Sequence, residues 1–174
     1  MAAIRNYYRA GVRIISVTLN GCSTPWAKAA NTNDTAPKAD FLKAAVREMN
    51  RLGILIDIGG SDQATQDIIL DESKAPVAAI GVGLKAIVDN PLNIDMNKIA
   101  DKFKTNGGIL MLTMDCALMA SKPENCTADD FRKLLSTAKG TGLNLGLGGV
   151  FDSSAKTPPG LEFKDLPALF DSLH

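Results

Sequence analysis

Residues 42–60, LKAAVREMNRLGILIDIGG, contain the pattern that decides the fold of this chain. Apolar side chains recur at helical spacing through Leu52, and Gly53 is a residue type that commonly ends a helix in a left-handed conformation. Ile54 then begins an apolar run of strand length that ends at Ile58. The stretch therefore predicts a helix that leads directly into a buried strand, which is the repeating unit of parallel α/β folds.

The same alternation of helical and strand patterns extends along the whole chain. Four further apolar runs predict strands, at residues 12–19, 75–80, 109–114 and 143–150. Helical patterns predict helices at residues 2–10, 61–73, 84–88, 95–104, 127–139 and 166–173. The strand runs are continuously apolar, which is typical of strands that helices cover on both faces. The sequence thus predicts a single α/β domain, residues 1–174, with about five parallel strands and flanking helices.

Charge and hydropathy exclude two classes of partner. The 174 residues contain 19 lysines and arginines and 19 aspartates and glutamates, so the chain has no electrostatic footprint for nucleic acid or for an anionic membrane. No apolar run reaches the roughly 20 residues of a membrane span. The first eight residues lack the apolar segment of a signal peptide. A soluble chain is expected, with the cytoplasm favoured over secretion.

The three cysteines, Cys22, Cys116 and Cys126, are too few and too irregularly spaced for a disulfide framework or a zinc knuckle. Buried or inert thiols are the favoured interpretation. An oxidising compartment would allow Cys116 to pair with Cys126. Two stretches, Asn33-Asp34-Thr35 and Asn125-Cys126-Thr127, match the acceptor sequence for N-glycosylation, a pattern that also arises by chance.

Few residues in the chain could carry catalytic chemistry. The only histidine is the carboxyl-terminal His174, which excludes a histidine-based metal site, triad or proton shuttle built from this chain alone. Glycine-rich stretches at residues 81–83 and 146–149 match neither the dinucleotide fingerprint nor the P-loop spacing. Glycines at strand ends more often serve tight packing than phosphate binding.

Three aspartates, Asp57, Asp115 and Asp152, lie in or at the ends of predicted strands. They could gather at one rim of the sheet as ligands of a hard metal ion. The favoured interpretation is that Asp57 accepts hydrogen bonds from neighbouring backbone groups and that the other two cap loops.

Ordered groups of residues along nearly the whole chain resemble the membrane (renal-type) dipeptidases, metallopeptidase family M19. The groups are residues 7–8 (YY), 11–13 (GVR), 22–27 (CSTPWA), 46–53 (VREMNRLG), 56–57 (ID), 73–77 (SKAPV), 106–108 (NGG), 151–152 (FD) and 157–162 (TPPGLE). The resemblance implies part of a (β/α)8 barrel that, in the family, holds two zinc ions and hydrolyses dipeptides through a metal-bridging hydroxide. It begins at about the fourth barrel strand, so the family's opening His-x-Asp pair and bridging glutamate have no counterpart in this sequence.

The resemblance also implies that the remaining site residues are replaced. The family has a zinc-binding histidine where this chain has Gly60, and another, in Ser-His-Ser, where this chain has Gly81. The family's substrate-contacting histidine, carboxylate-binding arginine and last-strand aspartate fall on Asn20, Leu92 and Val150. No zinc or other cofactor is therefore expected.

Three functions follow as alternatives. The first is a degenerate, catalytically inactive homologue of the dipeptidases. The second is a dipeptidase that works only when another chain supplies the missing strands, and the third is a small-molecule binder that uses the glycine-rich strand ends. A partial barrel leaves two open sheet edges, so self-association or a covering partner is expected, unless the sheet rearranges into an open, flavodoxin-like form.

Overall fold

Helices and strands alternate along the computed structural model, which describes residues 1–18, 22–33, 38–148, 156–161 and 163–171. The strands are β1 Ile14–Ser16, β2 Leu55–Asp57, β3 Ala78–Val82, β4 Ile109–Leu112 and β5 Asn144–Leu147. The helices are α1 Ala2–Arg9, α2 Ala39–Leu52, α3 Gln63–Glu72, α4 Met96–Asn106, α5 Cys116–Met119, α6 Ala128–Lys139 and α7 Leu166–Asp171. Short 3₁₀ turns occupy Pro123–Asn125 and Phe163–Asp165.

The five strands form one sheet in the order β1-β2-β3-β4-β5, and every neighbouring pair is parallel. This confirms the predicted parallel α/β architecture. Strictly sequential order is that of a barrel segment, whereas a flavodoxin-like sheet has the order 2-1-3-4-5, so the open-sheet alternative is wrong. Because all strands run the same way, their carboxyl ends lie along one rim of the sheet.

Helices pack their apolar faces onto the sheet, as the sequence pattern predicts. On α2, Leu42, Val46 and Met49 recur at helical spacing and are fully buried. The helix ends at Gly53, whose φ of 74° is the left-handed conformation that glycine adopts without steric cost. The largest fully buried side chains include Phe103, Phe131, Ile56, Ile58, Leu110 and Leu112. None of the described helices is long and apolar enough to cross a membrane.

Several local predictions differ from the structure; β1 is shorter than the strand predicted at residues 12–19, and the short helix α5 was not predicted. Residues 84–88 form a turn instead of the predicted helix; the amide nitrogens of Ile87 and Val88 donate to the Leu84 carbonyl oxygen and no helix continues. A five-residue segment ahead of Pro91 is too short to sustain a helix by itself. The strand predicted at 75–80 begins and ends later, so Gly81 and Val82 belong to β3, with a register shift between Ile80 and Val82.

Cys116 and Cys126 form a disulfide that joins the start of α5 to the residues just before α6, with Cα atoms 5.7 Å apart. The favoured interpretation of these two residues as thiols is therefore wrong, and the alternative, in which Cys116 pairs with Cys126, is the one that the structure has. Cys22 is a free, exposed thiol. Thr127 and Asp130 form a capping box at the start of α6, as the sequence predicts for the amino end of that helix.

The described sheet has two edges, β1 and β5. Ile14 on β1 is 51% exposed. An apolar groove of about 620 Å³ lies next to β1, with Ile15 in its lining. The groove is lined by side chains of α1 and β1 and by Trp26 and Phe41, whose rings meet edge to face with centroids 6.3 Å apart. That a second copy or a partner covers these edges stays a prediction.

A carboxylate between two arginines holds α1 against α2. Glu48, on the inner side of α2, accepts hydrogen bonds from Arg5 Nε at 2.6 Å and from Arg51 Nε at 2.8 Å. These two guanidinium groups, with Arg51 the larger influence, lower the pKa of Glu48 from an ordinary 4.5 to about 2. Because the pKa is lowered, these ion pairs stabilise the fold fully above about pH 4.5. This stabilisation is lost as the pH falls towards 2.

Glu48→Gln is therefore expected to lower the free energy of unfolding at neutral pH and to flatten its decline between pH 4.5 and 2. Urea denaturation at several pH values measures both effects. Glu124→Gln is the matched control, because the exposed Glu124 carboxylate makes no ion pair to the described residues. Equal pH profiles for Glu48→Gln and the parent protein would contradict the prediction.

Candidate functional site

A small pocket opens at the carboxyl ends of β1, β2 and β3, the position where parallel α/β folds place their chemistry. We call it the rim pocket. Its volume is about 110 Å³, and its lining consists of Ser16, Thr18, Asp57, Gly59, Gly60, Ile80, Gly81, Val82, Leu92 and Leu118. The lining contains one carboxylate, two hydroxyl groups and otherwise glycines and aliphatic side chains.

Asp57, the last residue of β2, uses both carboxylate oxygens within the protein. Its Oδ1 accepts hydrogen bonds from the amide nitrogens of Gly59 and Ile80, both at 2.9 Å. Its Oδ2 accepts from Ser16 Oγ at 2.6 Å. Ser16 lies opposite Asp57 in the β1–β2 register, and Asp57 is only 6% exposed. The carboxylate therefore ties β1, β2 and β3 together at the rim.

Gly60 and Gly81 leave the rim pocket without side chains at two adjacent strand ends. Both have positive φ, 68° at Gly60 and 66° at Gly81, so the backbone there favours glycine. A Cβ atom at Gly60 would lie 3.6 Å from Leu92 Cδ2 and 3.9 Å from Thr18 Oγ1, which is ordinary contact. Space for a side chain at Gly60 therefore exists, although the backbone conformation disfavours one.

Asn93 organises the loop that brings Leu92 to the rim pocket. It is 3% exposed, and its Oδ1 accepts from the Gly83 amide at 3.0 Å. Its Nδ2 donates to the carbonyl oxygens of Val88 at 2.9 Å and Leu118 at 2.8 Å. No sequence pattern predicted a role for Asn93, Ser16 or Thr18. The signal that could have found Asn93 is a polar residue in the loop that follows Gly83 and continues past Pro91 to the start of α4.

The structure brings together four of the residues that the sequence analysis named, Asp57, Gly60, Gly81 and Leu92, around the rim pocket. Asp115 is not in its lining; its Oδ1 accepts from the Ala117 amide at 2.9 Å and caps α5. Asn20, Val150 and Asp152 lie outside the described residues. That Gly60, Gly81 and Leu92 occupy the family's zinc and substrate positions stays a prediction.

The described residues of the rim pocket do not fit a zinc site. Zinc in a catalytic centre takes at least three protein ligands and keeps one open position. Asp57 is the only lining residue of a ligand type, and its oxygens already serve three donors. Within the described part of the chain, no three His, Cys, Asp or Glu side chains lie close enough to hold a metal ion.

Comparison with known proteins identifies relatives of this chain. The membrane dipeptidase family (peptidase family M19) matches residues 1–174. Dipeptidase 3 of Rattus norvegicus is 32% identical over 99% of this chain and 37% of its own length, and that of Mus musculus is 34% identical over 99% and 36%. An uncharacterised dipeptidase of Schizosaccharomyces pombe is 33% identical over 98% of this chain and 42% of its own length. The chain thus spans well under half the length of these relatives.

Solved structures agree on the fold. A metallo peptidase from Rhodobacter sphaeroides, crystallised with a phosphinate mimic of the dipeptide L-Ala-D-Ala, superposes with a TM-score of 0.85 at 19% identity, over 98% of this chain and 51% of that one. The probable dipeptidase PvdM from Pseudomonas aeruginosa superposes with a TM-score of 0.68 at 16% identity, over 99% of this chain and 59% of that one. These likenesses confirm the predicted partial barrel. With the family matched from the first residue to the last, the chain belongs to the membrane dipeptidases, peptidase family M19.

Proposed function

We propose that this chain is a catalytically inactive homologue of the zinc dipeptidases. The observation that carries the proposal is the lining of the rim pocket, which has glycine at positions 60 and 81, at the ends of two neighbouring strands. Glycine supplies no ligand, and the resemblance places the family's zinc-binding histidines at these two positions. The fold has been kept while the residues that would perform the chemistry differ, and a shared fold does not by itself imply a shared function.

The one carboxylate in the rim pocket supports the same conclusion. Hydrogen bonds from the buried strand ends already use three of the roughly four lone-pair positions of the Asp57 carboxylate, so a metal ion that used more than the remaining one would displace one of these donors. A buried amide that loses its acceptor costs about 1–3 kcal/mol, so metal binding would compete with the fold. Asp57 therefore acts as a structural residue in this proposal.

The two alternative functions have less support. A second chain that completed the barrel would still meet glycine at positions 60 and 81, so its own ligands would have to hold zinc almost alone. A small-molecule binder that used the glycine-rich strand ends would need a larger cavity at that place, since ligand pockets are typically about 300–1,000 Å³. The rim pocket, as the described residues bound it, measures about 110 Å³.

The purified chain is expected to retain no zinc after dialysis and to leave dipeptides intact. Metal analysis by mass spectrometry and a dipeptide panel, each with and without added zinc, measure these outcomes. Cys22→Ser is a necessary control, because the exposed Cys22 thiol can bind zinc without any relation to the rim pocket. Stoichiometric zinc in the Cys22→Ser variant, together with chelator-sensitive dipeptide cleavage, would overturn the proposal.

The double variant Gly60→His, Gly81→His makes this test sharper. Two imidazoles rebuild only part of a binuclear centre, and Leu92 offers no charge for the substrate carboxylate. We expect at most weak zinc binding and no dipeptide turnover. Turnover by this double variant would mean that the chain keeps more of the catalytic apparatus than the rim pocket indicates.

A further inference from the structure

The loop between α5 and α6 presents an exposed acceptor sequence beside the disulfide. Asn125-Cys126-Thr127 matches Asn-X-Ser/Thr with a residue other than proline in the middle. Asn125 and Thr127 are exposed, and the Asn125 side chain makes no hydrogen bond to the described residues. We propose that Asn125 is an N-glycosylation site, with an oligosaccharide attached to its side-chain amide nitrogen.

The disulfide between Cys116 and Cys126 also supports glycosylation of Asn125. Disulfides form and persist in oxidising compartments, among them the lumen in which the oligosaccharide is transferred to asparagine. Cys126 is the middle residue of the acceptor sequence and is bonded to Cys116. One oxidising environment therefore satisfies both the cysteine pair and the acceptor sequence.

The surroundings of Asn125 leave room for a bulky glycan. Ser121, Lys122 and Glu124 are all exposed, so this side of the loop faces solvent. Two hydrogen bonds fix the backbone of the loop. The backbone amide of Asn125 donates to the Lys122 carbonyl oxygen at 3.0 Å, and Lys156 Nζ donates to the Glu124 carbonyl oxygen at 2.6 Å. A glycan at Asn125 would displace none of these contacts, because all of them use the backbone of the loop.

Thr127 has two separate roles in this proposal. Its hydroxyl completes the acceptor sequence in the unfolded chain, and after folding it takes part in the capping box with Asp130. The other acceptor sequence, Asn33-Asp34-Thr35, has only its first residue within the described structure. Among the two acceptor asparagines, the described structure therefore supports Asn125.

The modification is a group transfer without any change of oxidation state. A bond forms between Asn125 Nδ2 and the anomeric carbon of a lipid-pyrophosphate-linked oligosaccharide. The bond between that carbon and the pyrophosphate oxygen breaks, and the lipid pyrophosphate leaves with the electron pair. The amide nitrogen gives up one proton in exchange for the sugar.

The test is translation of the full chain, behind a cleavable leader, into endoplasmic-reticulum microsomes. We expect a mobility shift that peptide-N-glycosidase reverses, with Asn125 converted to aspartate in the tryptic map. Asn125→Gln should lose this modification, whereas the matched variant Asn33→Gln should keep it, and Thr127→Ser should also keep it because serine retains the hydroxyl. The microsomal readout does not require the variants to fold.

Translocated chain with unmodified Asn125 would overturn the proposal, whether or not the Cys116–Cys126 disulfide has formed. A shift that depends on Asn33 alone would overturn it equally. Cys116→Ser separates the two observations, since it removes the disulfide partner and leaves the acceptor sequence intact. Glycosylation of Asn125 should persist in that variant.

Discussion

Asp57→Ala is expected to lower the free energy of unfolding by about 5 kcal/mol. The substitution removes the acceptor of the Gly59 and Ile80 amides and of the Ser16 hydroxyl at the rim of the sheet. Hydrogen bonds to a charged group contribute about 1.5–3 kcal/mol each, and a buried donor left without a partner adds its own penalty. The loss is shared among three strands, so β1, β2 and β3 should all become less protected against hydrogen exchange.

Two further variants serve as comparisons for the loss of stability in Asp57→Ala. Asp57→Asn keeps an oxygen for the two amides and loses the charge, so we expect a smaller loss of about 1–2 kcal/mol. Asp115→Ala removes one exposed capping interaction, at the Ala117 amide, and should cost about 1 kcal/mol. Urea denaturation of the three variants orders them. If Asp57→Ala is no worse than Asp115→Ala, the carboxylate does not hold the rim together.

Gly148→Ala is expected to destabilise the protein by about 3 kcal/mol or more, because the added methyl group has no space. A Cβ atom at Gly148 would overlap the backbone nitrogen of Gly81 and lie 2.7 Å from the Met111 carbonyl oxygen. Both neighbours are backbone atoms of the sheet, which cannot rotate away as a side chain can. For a chain of this length such a loss corresponds to a fall in Tm of about 10 °C.

Gly146→Ala is the matched control on β5. A Cβ atom at Gly146 would meet Ile109 Cδ1 at 3.3 Å and Met111 Cγ at 3.4 Å. Side-chain atoms can move by a few tenths of an ångström, so the expected loss is about 1 kcal/mol or less. Thermal unfolding followed by circular dichroism compares the two. Similar Tm values for both variants would show that the sheet backbone yields at Gly148.

The parts of the fold that the sequence predicted well are the local ones. The apolar face of α2, the stop at Gly53 and the capping box at Thr127 depend on residues a few positions apart. Residues 84–88 were predicted wrongly because their conformation depends on Asn93 and its distant contact with the Leu118 carbonyl. Spacing alone could leave the Cys116–Cys126 pairing only as an alternative, since it does not fix how close the loop brings the two residues.

In the candidate site, too, the sequence predicted local features and missed those that depend on distant contacts. Asp57 was singled out from its position at a strand end, but its bond to Ser16 depends on which residues face each other across β1 and β2. Gly60, Gly81 and Leu92 were named only through the resemblance to the dipeptidases. No periodicity or spacing indicates that these three residues line one pocket, because the sheet and the loop before α4 bring them there.

The order of the strands also bears on how the chain folds as it is synthesised. Each strand of the described sheet pairs with the next one along the chain. The pairing with the largest separation along the sequence joins β1 to β2. No described strand has to wait for a partner from the far end of the sequence, so the sheet can be extended one strand at a time as residues leave the ribosome. Until β5 has emerged, the growing sheet presents a new open edge at every stage, and that edge is where a nascent chain is most exposed to mispairing.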